Sequence, residues 1–349
     1  MIKKITLAAI FSLGLLTLIV YGQLQNSRGS SAASYLERGN EWMAKGELDR
    51  AIADYDFAIV FNSSSAIAYN NRGLAWRQKG DLVRALSDYD RAIQLNQRYA
   101  DAYLNRGIIR FELGEIDTAI DDFTKVIEIN PRDAKTWNNR GAARRAQGDL
   151  GAAIADLNQS IKLDSRNTKA WSNRCAVRYR QGAMDAALAD CNQAIKLDER
   201  NADAWNNRGL ARQEKGERNG ALTDFDRAIA LVPQQAYFYC NRSRAWLLQG
   251  EPEHALSDSN HALILDPKLA EAWLHRGAAW FDKRDYSRAI SDFDEALKLN
   301  PRLADAYCNR GVARLTQGKL EEAEDDLESC RKLGGTPKPE AERLLQEMR

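Results

Sequence analysis

The residues best suited to chemistry in this chain are three histidines and five cysteines, and their spacing argues against a catalytic or metal site. His254, His261 and His275 fall on different faces of the predicted helices, so they do not converge into a metal trio or a triad. No C-x-x-C pair, phosphate-binding glycine loop or G-x-S-x-G motif occurs. We therefore expect no enzyme activity, no catalytic residue, no metal and no cofactor.

The charge balance narrows the range of partners. The chain has 50 Lys and Arg residues against 49 Asp and Glu residues, without a long run of one sign. Nucleic-acid binding requires a concentrated basic face. We therefore expect neither a nucleic acid nor a small-molecule substrate.

An internal period organises most of the chain. Arg-Gly or a close equivalent recurs every 34 residues through nine units, without insertion or deletion. With Gly73 taken as position 8 of its unit, the units run from Ala32 to Pro337. A fixed period of this length is typical of proteins built from repeated supersecondary units.

The columns of the period have the character of packing positions. Position 4 is aromatic and position 20 is alanine in all nine units, and position 8 is small throughout. Small residues at positions 8 and 20 let two helices approach closely, and we expect the aromatic residue at position 4 to fill the space beside them. Glycine at position 15 in eight units suits the left-handed residue that ends a helix.

These columns, with proline frequent at position 32, resemble the tetratricopeptide repeat over residues 32–337. The resemblance implies an all-α, right-handed superhelical solenoid of nine helix–turn–helix units. It also implies a concave groove, lined by the first helix of each unit, that receives an extended peptide or a partner's helix. The chain is similar to bacterial membrane-anchored or exported scaffolds of this kind. Residues 338–349 offer one more helix, which would cap the last apolar surface.

Two columns are not part of this general pattern. The first pairs arginine at position 7 with aspartate at position 23 in every unit. We favour bidentate ion pairs that fix the register of stacked helices over a site for an anionic ligand. An arginine held by an internal partner is not available to a ligand. The expected structural pairs include Arg72 with Asp88, Arg106 with Asp122, Arg140 with Asp156, and Arg208 with Asp224.

The second column is position 6, which is asparagine in seven units. An amide donates and accepts at once, so it can bind a peptide main chain whatever the side chains are. The resemblance places position 6 in the groove, and the alternative is an amide that only satisfies neighbouring helix carbonyls. The predicted partner-binding residues are Asn71, Asn105, Asn139, Asn173, Asn207, Asn241 and Asn309, together with Lys135 and Lys169 at position 2.

Those two lysines resemble part of the family's carboxylate clamp, which grips a C-terminal carboxylate. The clamp needs cations in the following unit, where Asp203 and Asn207 stand instead. A chaperone-tail clamp is therefore not expected.

The cysteines do not resemble a disulfide framework, which is typical of small, cysteine-dense chains. Most of them stand where other units have small residues, so we interpret them as apolar packing residues. A bridge between Cys175 and Cys191, which share one unit, stays open because spacing alone does not establish it.

The N-terminus lies outside the repeat register. Lys3 and Lys4 precede an apolar run from Ile5 to Tyr21. This pattern predicts a signal peptide or an uncleaved signal anchor over residues 1–22, followed by a polar linker over 23–31. The lysines favour a cytoplasmic N-terminus. We expect repeats outside the cytoplasm, either anchored to the membrane by one helix or, after cleavage, secreted or periplasmic.

Together these features favour a scaffold outside the inner membrane that binds other proteins in its groove. The alternative is a substrate-recognition arm or adaptor for an enzyme on another chain. A third possibility, an enzyme in its own right, lacks any constellation of site residues in the sequence.

Overall fold

A computed structural model describes residues 31–337 and 339–348. The apolar run from Ile5 to Tyr21, and with it the predicted signal or anchor, lies outside the described residues. Within them, no helix combines the length and apolar character needed to cross a membrane. The chain divides into two compact units, with the boundary between Leu163 and Asp164.

Four helix pairs make up the described part of the first unit, and each 34-residue repeat supplies a first helix A and a second helix B. The A and B helices in order are α1 Ala32–Ala44, α2 Leu48–Phe61, α3 Ala66–Gln78, α4 Leu82–Leu95, α5 Ala100–Glu112, α6 Ile116–Ile129, α7 Ala134–Gln147 and α8 Leu150–Leu163.

The second unit contains five further pairs and a final helix within its described residues. They are α9 Thr168–Arg180, α10 Met184–Leu197, α11 Ala202–Glu214, α12 Arg218–Leu231, α13 Ala236–Gln249, α14 Pro252–Leu265, α15 Ala270–Asp282, α16 Tyr286–Leu299, α17 Ala304–Thr316, α18 Leu320–Lys332 and α19 Pro339–Met348. The prediction of an all-α fold of repeated helix pairs is confirmed.

The core within each unit lies between the two helices of a repeat and the A helix of the next. In the first unit, Ala51 and Tyr55 pack with Ala75 of the following A helix. In the second unit, Phe293 packs with Ala313 in the same way. Both of these next-repeat alanines are completely buried, so the helices approach closely.

The contact between the helices of one repeat differs from our expectation. The side chain at position 24, not the aromatic residue at position 4, fills the space beside position 8. A Cβ added to Gly209 would lie 2.7 Å from Cε1 of Phe225, and one added to Gly73 would lie 2.8 Å from Cε1 of Tyr89. The position-24 ring therefore requires glycine opposite it, and the position-4 ring has a different role, described below.

The turn between the two helices follows the predicted left-handed conformation. Gly148 has a φ of 95°, and Arg284 occupies the same place in repeat 8 with a φ of 64°. After α18, the final helix buries Ala341 and Leu345 against Val312 and Leu315 of α17, so it covers the apolar surface of repeat 9.

Candidate functional site

The position-7 arginines are the most regular polar feature of the described chain, and Arg208 shows their geometry. Its Nε donates to Oδ2 of Asp224 at 2.8 Å and its Nη2 donates to Oδ1 at 2.6 Å. Its Nη1 donates to Asn192 of the preceding B helix at 2.8 Å. Its Cζ lies 4.5 Å from the ring centroid of Trp205, the position-4 residue. One guanidinium thus ties both helices of its repeat to the preceding repeat.

The structure brings together all of the predicted pairs. Bidentate contacts join Arg72 to Asp88, Arg106 to Asp122 and Arg140 to Asp156, as well as Arg208 to Asp224. The same contact recurs between Arg38 and Asp54, Arg174 and Asp190, Arg242 and Asp258, Arg276 and Asp292, and Arg310 and Asp326. The hydrogen bonds that Arg72 donates to Asp88 raise the pKa of Arg72 despite its burial. Because these arginines are held by internal partners, the structure favours a structural role over a site for an anionic ligand.

The aspartates of these pairs fall into two classes. In five repeats a second arginine at position 11 donates to the same aspartate, as Arg212 Nη1 does to Asp224 Oδ2 at 2.8 Å. The five are Arg110, Arg144, Arg178, Arg212 and Arg314. In the other four repeats position 11 is tryptophan, and a basic residue at position 19 stacks on it, as Arg288 does on Trp280 at 3.7 Å. An aspartate in a tryptophan repeat has one arginine partner fewer, and burial raises the pKa of Asp88, which lies in such a repeat.

The position-6 asparagines connect successive A helices. Asn105 Nδ2 donates to Oδ1 of Asn70 at 3.0 Å, and Asn241 Nδ2 donates to Oδ1 of Asn206 at 2.8 Å. Asn207 Nδ2 lies 3.3 Å from the carbonyl oxygen of Ser172 and donates to it. We call the surface formed by positions 2, 5 and 6 of the A helices the amide face.

The other predicted residues of the amide face differ in their contacts. Asn71 Nδ2 donates to Asn40 at 2.9 Å, and Asn139 accepts from Asn138 at 3.3 Å. Asn173 and Asn309 are partly buried, whereas Lys135 and Lys169 are exposed. Four of the amides thus bridge neighbouring A helices, which is the structural alternative, but no described group donates to Oδ1 of Asn105, Asn207 or Asn241.

Four of the five cysteines are paired, which corrects their interpretation as packing residues. Cys175 at position 8 and Cys191 at position 24 form a disulfide within repeat 5. Cys308 and Cys330 form a second disulfide within repeat 9. Three of these cysteines replace small or apolar residues of their columns and Cys308 stands in the mixed column at position 5, so the spacing alone gave no sign of pairing. Cys175 and Cys191 take the places that glycine and an aromatic residue hold in repeat 6.

The remaining cysteine lies beside a histidine in a form unsuited to nucleophilic catalysis. Cys240 Sγ is 3.3 Å from Nδ1 of His275. Burial raises the pKa of the Cys240 thiol, and burial together with Arg244 lowers the pKa of His275 to about 4. Both groups are therefore neutral near pH 7, and a neutral thiol is a weak nucleophile. Among the described residues, no group of three or more His, Cys, Asp or Glu side chains could hold a metal ion.

Family comparisons agree with the repeat period. Models described as tetratricopeptide repeat match residues 100–133 and 270–303, 123–155 and 293–325, and 206–270. A further model, described as TPR repeat, matches residues 39–80, 74–114 and 176–216. No curated protein sequence matches the chain.

Two solved structures share the fold. A tetratricopeptide repeat protein from Parabacteroides merdae has a TM-score of 0.62 at 20% identity, with 72% of this chain and 99% of that one covered. A structure of the APC/C hetero-tetramer Cut9-Hcn1 has a TM-score of 0.66 at 16% identity, with 96% and 81% covered. At these identities the likeness concerns the fold alone.

Proposed function

Because this chain belongs to the tetratricopeptide repeat family, a family of protein-interaction scaffolds, we propose that its amide face binds the main chain of a partner protein. The observation that carries the proposal is the state of the position-6 amides. The Nδ2 groups of Asn105, Asn207 and Asn241 donate to the preceding A helix, while their Oδ1 atoms accept from no described group. Acceptors fixed one repeat apart, as in Asn207 and Asn241, suit the N–H groups of an extended peptide.

The experiment places a photoreactive amino acid at Asn173 or Asn207 of the full chain in intact cells. We expect irradiation to capture a polypeptide from both positions. The matched control is the same probe at Lys196, an exposed residue on the B helix of repeat 5. Capture at Lys196 alone, or no polypeptide at Asn173 and Asn207, would contradict the proposal. One dominant enzyme among the captured proteins would favour a recognition arm over a scaffold.

We also propose that the repeats lie outside the cytoplasm, tethered by the segment from Ile5 to Tyr21 or released after its cleavage. The two disulfides support this location because disulfides persist in oxidising compartments and are rare in the cytosol. Alkylation of the denatured, unreduced protein taken directly from cells tests the proposal. It should label only Cys240, whereas labelling of all five cysteines would contradict it.

A further inference from the structure

The junction between repeats 6 and 7 departs in sequence from the other junctions. Position 31, which is Asn or Asp in the seven other loops that join repeats, is Val232 here. Position 3, which is Ala, Ser or Thr in the eight other repeats, is Phe238 here. Two columns that are otherwise nearly constant thus change together at one place.

The change at position 31 removes a loop contact and exposes an apolar side chain. In the preceding loop of the second unit, Asp198 Oδ1 accepts from the backbone N–H of Arg200 at 2.9 Å. In the following loop, Asp266 accepts from Lys268 at 2.9 Å. Valine cannot accept this hydrogen bond, and Val232 is 42% exposed. The loop therefore forgoes a turn-stabilising contact and gains an apolar surface.

The change at position 3 places a large ring where the other junctions have a small side chain. Phe238 is 1% exposed and packs with Ala202 and Ala228. Its ring meets that of Tyr237 edge to face, with centroids 4.5 Å apart. The Tyr237 hydroxyl donates to Asp203 of the preceding A helix.

At the far end of the same junction, position 14 also makes fewer hydrogen bonds than it does in repeats 6 and 8. Lys215 and Lys283, at position 14 of repeats 6 and 8, donate across their junctions to Asp185 and Glu253. Gln249 stands at position 14 of repeat 7, and its buried Nε2 has no hydrogen-bond partner among the described residues. The junction departs from its neighbours in contacts as well as in sequence.

A cavity of about 530 Å³ extends from this junction to repeat 5, on the amide face. Val232 and Phe238 supply apolar atoms at one end, but most of the lining residues are polar, including Lys169, Asn173, Asp198, Arg200 and Asp203. An apolar patch beside polar groups can hold and orient one side chain, and this volume lies within the usual range of binding pockets. We call this cavity the repeat 6–7 pocket.

We propose that the repeat 6–7 pocket receives one bulky apolar side chain, aliphatic or aromatic, from an extended partner peptide. The inference rests on the proposed function and adds a selectivity that main-chain amides cannot provide. Asn173 lies in the pocket, so a main chain on the amide face passes its opening. Lys169 and Arg200 are balanced by Asp198 and Asp203, so the charged groups favour neither sign of side chain. The exposed apolar surface of Val232 favours a side chain that leaves water on binding.

The test selects a random dodecapeptide phage library on the full chain, on Val232→Asn and on Ile264→Asn. Val232→Asn restores the residue type of the other loops, so we expect it to fold. Ile264→Asn is the matched control, because Ile264 is 78% exposed on the B helix of repeat 7 and does not line the pocket. The wild-type chain and Ile264→Asn should enrich peptides that share one bulky apolar residue.

A synthetic peptide from that pool should bind Val232→Asn at least about tenfold more weakly than the wild-type chain. Replacing the apolar residue of this peptide with alanine should also weaken binding to the wild-type chain about tenfold. The same replacement should change the affinity for Val232→Asn little. No enriched peptide, no shared apolar residue, or equal affinity for Val232→Asn would each overturn the proposal. If Val232→Asn fails to fold, the alanine peptide on the wild-type chain decides the matter. If any of these outcomes is found but the photoreactive probes at Asn173 and Asn207 still capture a polypeptide, only the pocket proposal is contradicted and the proposed function is retained.

Discussion

Asn207 and Arg208 are neighbours in sequence, yet they belong to two different polar systems. Arg208 donates to the completely buried Asp224 and to the preceding repeat, so it has the contacts of a structural residue. Asn207 donates to the preceding A helix, but its Oδ1 accepts from no described group. A rigid stack needs the same internal bonds in every repeat, whereas a binding face needs groups whose capacity is not fully used inside the protein.

Among the structural contacts, the residue types vary at positions 8 and 24 but stay constant at positions 7 and 23. Positions 8 and 24 are Gly209 and Phe225 in repeat 6 but a disulfide in repeat 5. In repeat 7 they are Ser243 and Ser259, whose hydroxyls lie 2.7 Å apart. Chemically different pairs thus span this gap, while the Arg and Asp of positions 7 and 23 are never replaced. We therefore expect the ion pair to be more sensitive to substitution than the contact between positions 8 and 24.

The largest expected effect comes from removing a position-7 arginine. Arg242→Ala should lower the free energy of unfolding by about 5 kcal/mol, because Asp258 is left buried with no position-11 arginine. Arg208→Ala should cost less, about 3 kcal/mol, since Asp224 keeps its contact with Arg212. Urea unfolding of each variant measures both values.

The control for this prediction is Lys215→Ala. Lys215 pairs with Asp185, whose side chain is 91% exposed and screened by solvent, so the unfolding curve of Lys215→Ala should lie close to that of the wild-type chain. Equal unfolding curves for Arg208→Ala and Lys215→Ala would show that the position-7 pairs do not hold the stack.

Replacing the repeat 5 disulfide tests whether the contact between positions 8 and 24 is interchangeable. The double variant Cys175→Ser with Cys191→Ser reproduces the pair found in repeat 7, so it should fold. It should lose about 3 kcal/mol of unfolding free energy, because the short closed loop no longer constrains the unfolded chain. Circular dichroism and urea unfolding provide the measurement, and a variant that does not fold would contradict interchangeability.

Crowding the same contact should cost somewhat less. Gly209→Ala places a Cβ 2.7 Å from the Phe225 ring, which should destabilise the protein by about 2 kcal/mol. Gly220→Ala is the matched control, because the nearest atom to its Cβ is Cδ of Arg212 at 3.3 Å, and the loss of a helical glycine should be neutral or favourable. A lower melting temperature for Gly220→Ala than for Gly209→Ala would contradict this prediction.

The smallest effect concerns pH. The pKa of His275 is lowered from 6.5 to about 4 in the folded chain, so the unfolded chain binds the extra proton first as pH falls. The stability that neutral His275 contributes is complete above pH 6.5 and declines as pH falls towards 4, by roughly 1–3 kcal/mol. His275→Asn, which restores the usual position-6 residue, should lose less stability between pH 7 and pH 4.5. Parallel declines in urea unfolding experiments would contradict this.

The sequence predicted the all-α fold of repeated helix pairs and the pairing of positions 7 and 23, because both depend on one period. It did not predict the disulfides, since a cysteine in a small-residue column has the pattern of a packing residue until both sulfur atoms are placed. The contact from Arg208 to Asn192 was also missed, because position 25 carries Asp, Asn, Thr or Glu and forms no uniform column. The repeat 6–7 pocket depends on two coincident exceptions, Val232 and Phe238, whose proximity only the structure shows.

The most direct test compares the neighbouring variants Asn207→Ala and Arg208→Ala with the partner captured from the amide face. Partner affinity and unfolding free energy are measured for each. Asn207→Ala should weaken partner binding about tenfold while costing about 1 kcal/mol of stability. Arg208→Ala should lose about 3 kcal/mol of stability and keep its affinity under conditions where it is folded. Unchanged affinity in Asn207→Ala, or an equal loss of affinity in folded Arg208→Ala, would contradict the division between a structural column and a binding column.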